Sequence, residues 1–105
     1  GDGKLLVVGW GGTFGGLHTA VTELQQANRR IDFVHFNYIN PLPKNTKAVF
    51  EKYNKILVCE LNMGQFASLL RSRFPGLNIL SYTKIQGQPF LVTELKEVFL
   101  ENLKD

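Results

Sequence analysis

Cysteine occurs once in the 105 residues, at Cys59, and histidine twice, at His18 and His35. A lone cysteine has no internal disulfide partner, which fits a reducing cytoplasm. Two scattered histidines do not make a zinc site, which needs three or four convergent ligands. Neither a Ser-His-Asp nor a Cys-His set can be argued from these residues. No apolar run approaches the ~18 residues of a membrane span, and no signal-peptide pattern is present. The twelve Lys and Arg against nine Asp and Glu leave a net charge of only +3. The basic residues are spread along the chain, with no stripe interleaved with aromatics, so nucleic acid is not an expected partner, and neither is a membrane. No segment has low complexity or repeats. The chain begins Gly1-Asp2-Gly3-Lys4 directly before an apolar run, and the expectation is one domain excised from a longer polypeptide.

Glycine, by contrast, is concentrated. Five of the ten glycines fall at Gly9, Gly11, Gly12, Gly15 and Gly16. They follow the apolar run Leu5-Leu6-Val7-Val8 and precede a helical pattern that starts near Leu17. A buried strand, a glycine cluster and a helix form the start of an α/β unit, with the loop where open α/β sheets meet their ligands and contacts.

The same alternation continues to the end of the chain. A first strand is predicted over Leu5–Val8, unbroken and apolar as for a strand covered on both faces. A helix over about Gly15–Asn28 carries Leu17, Ala20, Val21, Leu24 and Ala27 on one face. A second strand spans Ile31–Phe36, then Asn40-Pro41-Leu42-Pro43 breaks the pattern. A short helix over Thr46–Tyr53 turns Val49, Phe50 and Tyr53 inward. A third strand covers Ile56–Leu61, and a helix over Gly64–Phe74 buries Phe66, Leu69, Leu70 and Phe74 before Pro75-Gly76. A fourth strand covers Leu77–Tyr82. Thr93 is the expected N-cap of a last helix that buries Leu95, Val98, Phe99 and Leu103, with Glu94 and Glu97 near its positive end. Strict alternation implies parallel strands with right-handed crossovers and helices on both faces. The expected architecture is a three-layer α/β/α domain with a four-stranded parallel sheet ordered 2-1-3-4. Its switch point sets the Gly9–Gly16 loop beside Leu61–Gln65.

The candidate sites cluster at that crevice. A dinucleotide fingerprint is G-x-G-x-x-G with an acid at the end of the second strand. Here Phe14 stands where the third glycine belongs, and His35-Phe36-Asn37-Tyr38 offers no carboxylate. A phosphate loop of the Gly-Lys-Ser/Thr kind is also absent. The glycines either make a tight strand-to-helix turn capped by Thr13 or Gly15, or allow close approach of another domain or of an acyl or phosphate group. Trp10 and Phe14 are expected in the loop, as a contact patch if exposed and as a roof over the sheet if buried. Glu60 is the only carboxylate beside the crevice. It can serve as a base or orient a cofactor, or it can accept backbone or amide hydrogen bonds and fix its loop. His18 is expected to face solvent or an interface, His35 to be a strand residue, and Cys59 a small core residue.

Taken in order, Leu5-Leu6-Val7-Val8-Gly9-Trp10-Gly11-Gly12-Thr13, Asn40-Pro41-Leu42-Pro43, Val58-Cys59-Glu60-Leu61-Asn62-Met63-Gly64-Gln65 and Gln86-Gly87-Gln88-Pro89-Phe90 make a pattern that resembles the C-terminal domain of the alpha subunit of 2-oxoacid:ferredoxin oxidoreductases, the 2-oxoglutarate type in particular. The Glu60-x-Asn62-x-Gly64-Gln65 segment is its most specific piece. The resemblance implies a transketolase C-terminal-like fold. It also implies a complex that oxidatively decarboxylates a 2-oxoacid with coenzyme A, using thiamine diphosphate, Mg and an iron–sulfur cluster and passing electrons to ferredoxin. It further implies that Gly11, Gly12, Thr13, Glu60, Asn62, Gly64 and Gln65 face the neighbouring domain or the beta subunit, with no chemistry assigned to them and no cofactor bound by this chain itself. A homodimer through the exposed interface stays open. So does a second class of function, an autonomous α/β domain that binds a nucleotide or coenzyme A at the switch point.

Overall fold

In the computed structural model the described residues are 4–10, 14–36, 43–60, 64–84 and 90–104. They form β1 (Leu5–Trp10), α1 (Phe14–Gln26), β2 (Ile31–Phe36), α2 (Thr46–Phe50), β3 (Lys55–Glu60), α3 (Gln65–Arg73), β4 (Ile79–Thr83) and α4 (Val92–Leu103). The four strands make one sheet in the order β2-β1-β3-β4, and all three pairings are parallel. This is the expected class and strand order.

The central strand explains the layering. Leu5 to Val8 are at most 1% exposed because successive side chains enter opposite cores. Leu5 and Val7 pack with Leu17, Ala20, Val21 and Leu24 of α1 and with Leu95, Phe99 and Leu103 of α4. Leu6 and Val8 pack with Phe50 of α2 and with Phe66, Ala67 and Leu70 of α3. Each fully buried Leu, Val or Phe contributes roughly 1.5–3 kcal/mol of transfer free energy, so one six-residue strand is the shared wall of both cores. Phe36, Phe50, Phe66 and Phe74 meet edge to face, with centroids 5.3–6.2 Å apart.

The element ends depart from expectation where backbone chemistry overrides apolar spacing. Helix α1 stops at Gln26 rather than Asn28, because Asn28 takes φ 66°. Its N–H donates to Gln25 O and that of Arg29 to Leu24 O, a Schellman closure that leaves Ala27 exposed. Helix α2 ends at Phe50, short of Tyr53, whose hydroxyl instead donates to Asp32 Oδ2 at 2.8 Å. Strand β3 starts one residue early and β4 starts at Ile79, because Leu77 is used in the turn that follows Phe74. The N-cap of α4 is Leu91 and not Thr93. Leu91 O accepts from Leu95 N, which starts the helix one turn before the buried Leu95.

Candidate functional site

Strands β1 and β3 are adjacent and parallel at the switch point of the sheet, so the residues that end these two strands define the candidate site. Strand β1 runs two residues past Val8, and Trp10, expected in the loop, is its last residue, paired in register with Phe36. The half-buried indole packs edge-on to Phe66, with centroids 5.8 Å apart and planes at 68°. It roofs the end of the sheet from within the strand. Phe14 opens α1.

Glu60 ends β3 and is completely buried. A buried carboxylate requires donors, and three are present. Oε1 accepts from Phe66 N at 2.8 Å and from Trp10 Nε1 at 3.2 Å, and Oε2 accepts from Ala67 N at 3.0 Å. Phe66 and Ala67 are the second and third residues of α3, whose orphan N–H groups an N-cap side chain ordinarily satisfies. The N-cap here is Gly64, at φ 79° and ψ 25° and with no side chain to give. Glu60 therefore does that work from the neighbouring strand, and its charge sits at the positive end of the helix dipole. With both oxygens engaged and no exposed surface, the carboxylate ties the end of β3 to Trp10 and to the start of α3, and no free oxygen is aimed at a reactant.

Of the residues singled out from sequence, the structure thus brings Glu60, Gly64 and Gln65 together. Gly64 is buried and Gln65 exposed at the start of α3. Gly11, Gly12, Thr13 and Asn62 lie outside the described residues. Gly15 is inside α1 and does not cap it. His18 is exposed, with its ring centroid 6.3 Å from that of Phe33. Cys59 is 0% exposed. Burial, and then the Glu60 carboxylate, push its thiol well above the usual range, so it is an inert core residue.

One polar cluster has no local signature in the sequence. Lys84, just past β4, donates to Glu94 Oε2 of α4 at 2.7 Å. That bond, with the neighbouring Tyr82 hydroxyl, holds the Glu94 carboxyl below the ordinary carboxylate range. Desolvation and then Glu94 push Tyr82 up to about 12. The partners are separated by a turn and a helix start, and only the fold sets them side by side.

Among the described residues, no three of His, Cys, Asp and Glu converge as a metal site. No helix among the described residues is long and apolar enough to cross a membrane.

The described residues define an open, all-parallel α/β domain with a buried polar anchor at the switch point. No family model matches the chain. It is 35% identical over 95 residues to the 2-oxoglutarate oxidoreductase subunit KorA of Mycobacterium tuberculosis, an alignment that takes in 90% of the chain and 14% of that protein. It is 30% identical over 106 residues to subunit alpha of 2-oxoacid:ferredoxin oxidoreductase 1 of Sulfurisphaera tokodaii, covering 99% of the chain and 16% of that protein. Its fold superposes with a TM-score of 0.91, at 22% identity, on a structure of 2-oxoglutarate:ferredoxin oxidoreductase from Magnetococcus marinus with 2-oxoglutarate, coenzyme A and succinyl-CoA bound, covering 99% of the chain and 18% of that one. The chain is homologous to one part of the 2-oxoacid:ferredoxin oxidoreductase alpha subunits, and it spans less than a fifth of their length.

Proposed function

We propose that this chain is the assembly domain of a thiamine-diphosphate-dependent 2-oxoacid:ferredoxin oxidoreductase, with 2-oxoglutarate as the substrate type. Glu60 carries the reading. Its carboxylate touches both strand ends that flank the switch point and takes up the free N–H groups of α3. An arrangement of that kind ties the end of β1, the end of β3 and the start of α3 together, and a rigid framework suits docking against another domain of the alpha subunit or against the beta subunit.

The described residues do not fit as ligands for the groups that the whole enzyme would use. Iron–sulfur clusters are held by several thiolates, whereas Cys59 is the only cysteine of the chain and is fully buried in the core. A diphosphate-bound metal would call for converging carboxylates, and Glu60 is already spent on three donors. Oxidative decarboxylation with coenzyme A and transfer of electrons to ferredoxin, in a cytoplasmic complex, would thus be the work of other parts of the assembly. The residues of this chain would orient and support.

A second reading has one observation in its favour. The fold superposes on part of an oxidoreductase solved with coenzyme A and succinyl-CoA bound, so the switch point of this chain is a candidate coenzyme A contact. Amide NMR shifts of the chain, titrated separately with coenzyme A, thiamine diphosphate and NADH, test the two. The assembly reading expects no saturable shifts at Trp10, Gly64 or Gln65, together with weakened subunit association when Glu60→Ala is placed in the full alpha subunit. Saturable shifts at micromolar ligand on those residues would overturn it in favour of ligand binding.

A further inference from the structure

The two helical layers differ in charge. All the ion pairs among the described residues, Lys84 with Glu94, Lys96 with Glu23 and Lys104 with Glu101, lie on the side of α1 and α4. That layer carries Glu23, Glu94, Glu97 and Glu101 against Lys96 within its helices, and it neutralises its own cations. The opposite layer does not. Lys44, Lys47, Lys52, Arg71 and Arg73 are all exposed there, and Glu51 is the sole acid of residues 43–54 and 64–78. None of the five pairs with a carboxylate among the described residues. Arg71 is held in place by donating Nε to Ile79 O at 3.0 Å while the residue stays exposed. Asp32, at the neighbouring sheet edge, is taken by Tyr53 and Gln25. Half-buried Val49, Leu69, Phe74 and Leu77 lie in the same layer. The ring of Phe50 in α2 lies 6.0 Å from that of Phe74 at the end of α3, so the two basic segments share one surface.

Five cations with one nearby acid repel one another. On the α1–α4 side the cations of the ion pairs each have a carboxylate, whereas the fold gives no reason for the α2–α3 side to keep its own unpaired. Guanidinium groups grip carboxylates and phosphates in bidentate fashion, and the apolar residues beside these point to a protein carboxylate. Apolar patches between charges are a feature of protein interfaces. We propose that the α2–α3 face docks a carboxylate-rich protein surface, with Lys47, Lys52, Arg71 and Arg73 at its centre. Arg73 lies about 12 Å along α3 from Gln65 at the helical rise of 1.5 Å per residue. The face is therefore apart from the switch-point loops, and its failure would leave the assembly reading intact.

The test is a titration of the chain with poly-L-glutamate, followed by amide NMR at low ionic strength, beside a duplex DNA of matched charge. Shifts are expected on α2 and α3, abolished by 0.3 M salt on the order expected for screened contacts. The double variant K47E/R73E should weaken binding at least about tenfold, the difference that 1.4 kcal/mol makes, while K96E on the other layer leaves it unchanged. The proposal falls if poly-L-glutamate gives no shifts, or if the shifts spread equally over Lys84, Lys96 and Lys104. Tighter binding of DNA than of poly-L-glutamate would also overturn it, because a nucleic acid would then be the better occupant.

Discussion

Glu60 and Trp10, fifty residues apart, share a hydrogen bond of 3.2 Å between carboxylate Oε1 and indole Nε1. The bond joins the ends of two adjacent parallel strands, and the same oxygen also receives the first turn of α3.

Replacing Glu60 by alanine removes acceptors from two backbone N–H groups and one indole. The expected loss is about 2–6 kcal/mol, since each of the two buried backbone donors left unmet costs roughly 1–3 kcal/mol. A domain of this size holds roughly 5–15 kcal/mol, so the fold should survive. Glu60→Gln keeps one acceptor and should lose less. Urea unfolding followed by emission of the sole tryptophan checks both, and unchanged midpoint and emission for Glu60→Ala would rule out the bridge.

Gly64 sits at φ 79° with its nearest prospective Cβ contact, Ser81 Oγ, at an ordinary 3.5 Å. Gly64→Ala should therefore suffer from left-handed backbone strain alone, about 1–2 kcal/mol. Gly64→Asn should be milder, because asparagine tolerates that conformation. Equal thermal midpoints for the three proteins would contradict the strain argument.

Two adjacent glycines of α1 should respond in opposite directions. A Cβ at Gly15 meets nothing within 4 Å, and Gly15→Ala should stabilise by up to about 1 kcal/mol through helix propensity. A Cβ at Gly16 falls 3.1 Å from Phe90 O, a backbone atom that cannot swing aside. Gly16→Ala should cost about 1 kcal/mol or more by overpacking. Chemical denaturation of the pair reads the difference directly.

Glu94 predicts the acid response. Its folded carboxyl is held below the ordinary range, first by the hydrogen bond from Lys84. A depressed folded value binds its proton less tightly than the unfolded chain does. The stability it adds is present above the unfolded carboxylate range and is lost as pH falls through the folded value. Wild-type midpoints should drop on acidification by more than those of Glu94→Gln, and identical pH profiles would exclude the effect.

The sheet order was legible because unbroken apolar runs at Leu5–Val8 and Ile56–Cys59 can only be central strands, and strict alternation leaves few topologies. Element ends were not, because Asn28 at φ 66° and the backbone start at Leu91 follow local hydrogen bonding that apolar spacing does not encode. Glu60 was legible as the one carboxylate by the crevice and as an acceptor that fixes its loop. Its link to Trp10 was not, because nothing local to either residue reveals a partner fifty positions away. The Lys84–Glu94 pair escaped for the same reason. The basic residues read as spread when taken in order along the chain, and only the two-layer fold sorts them by face.

The strand order carries a consequence for how the domain comes to exist. Strand β1 is made first, yet it pairs with β2 through Leu5 and Ile31 and with β3 through Leu5 and Lys55. Its hydrophobic residues thus wait for more than half of the chain before both flanks are covered. Parallel pairing at such separation is slow to close, and a growing polypeptide that has emerged only through β2 has α1 for Leu5 and Val7 but none of the α2 and α3 side chains that cover Leu6 and Val8. Until those arrive, that greasy face of β1 is open to wrong partners.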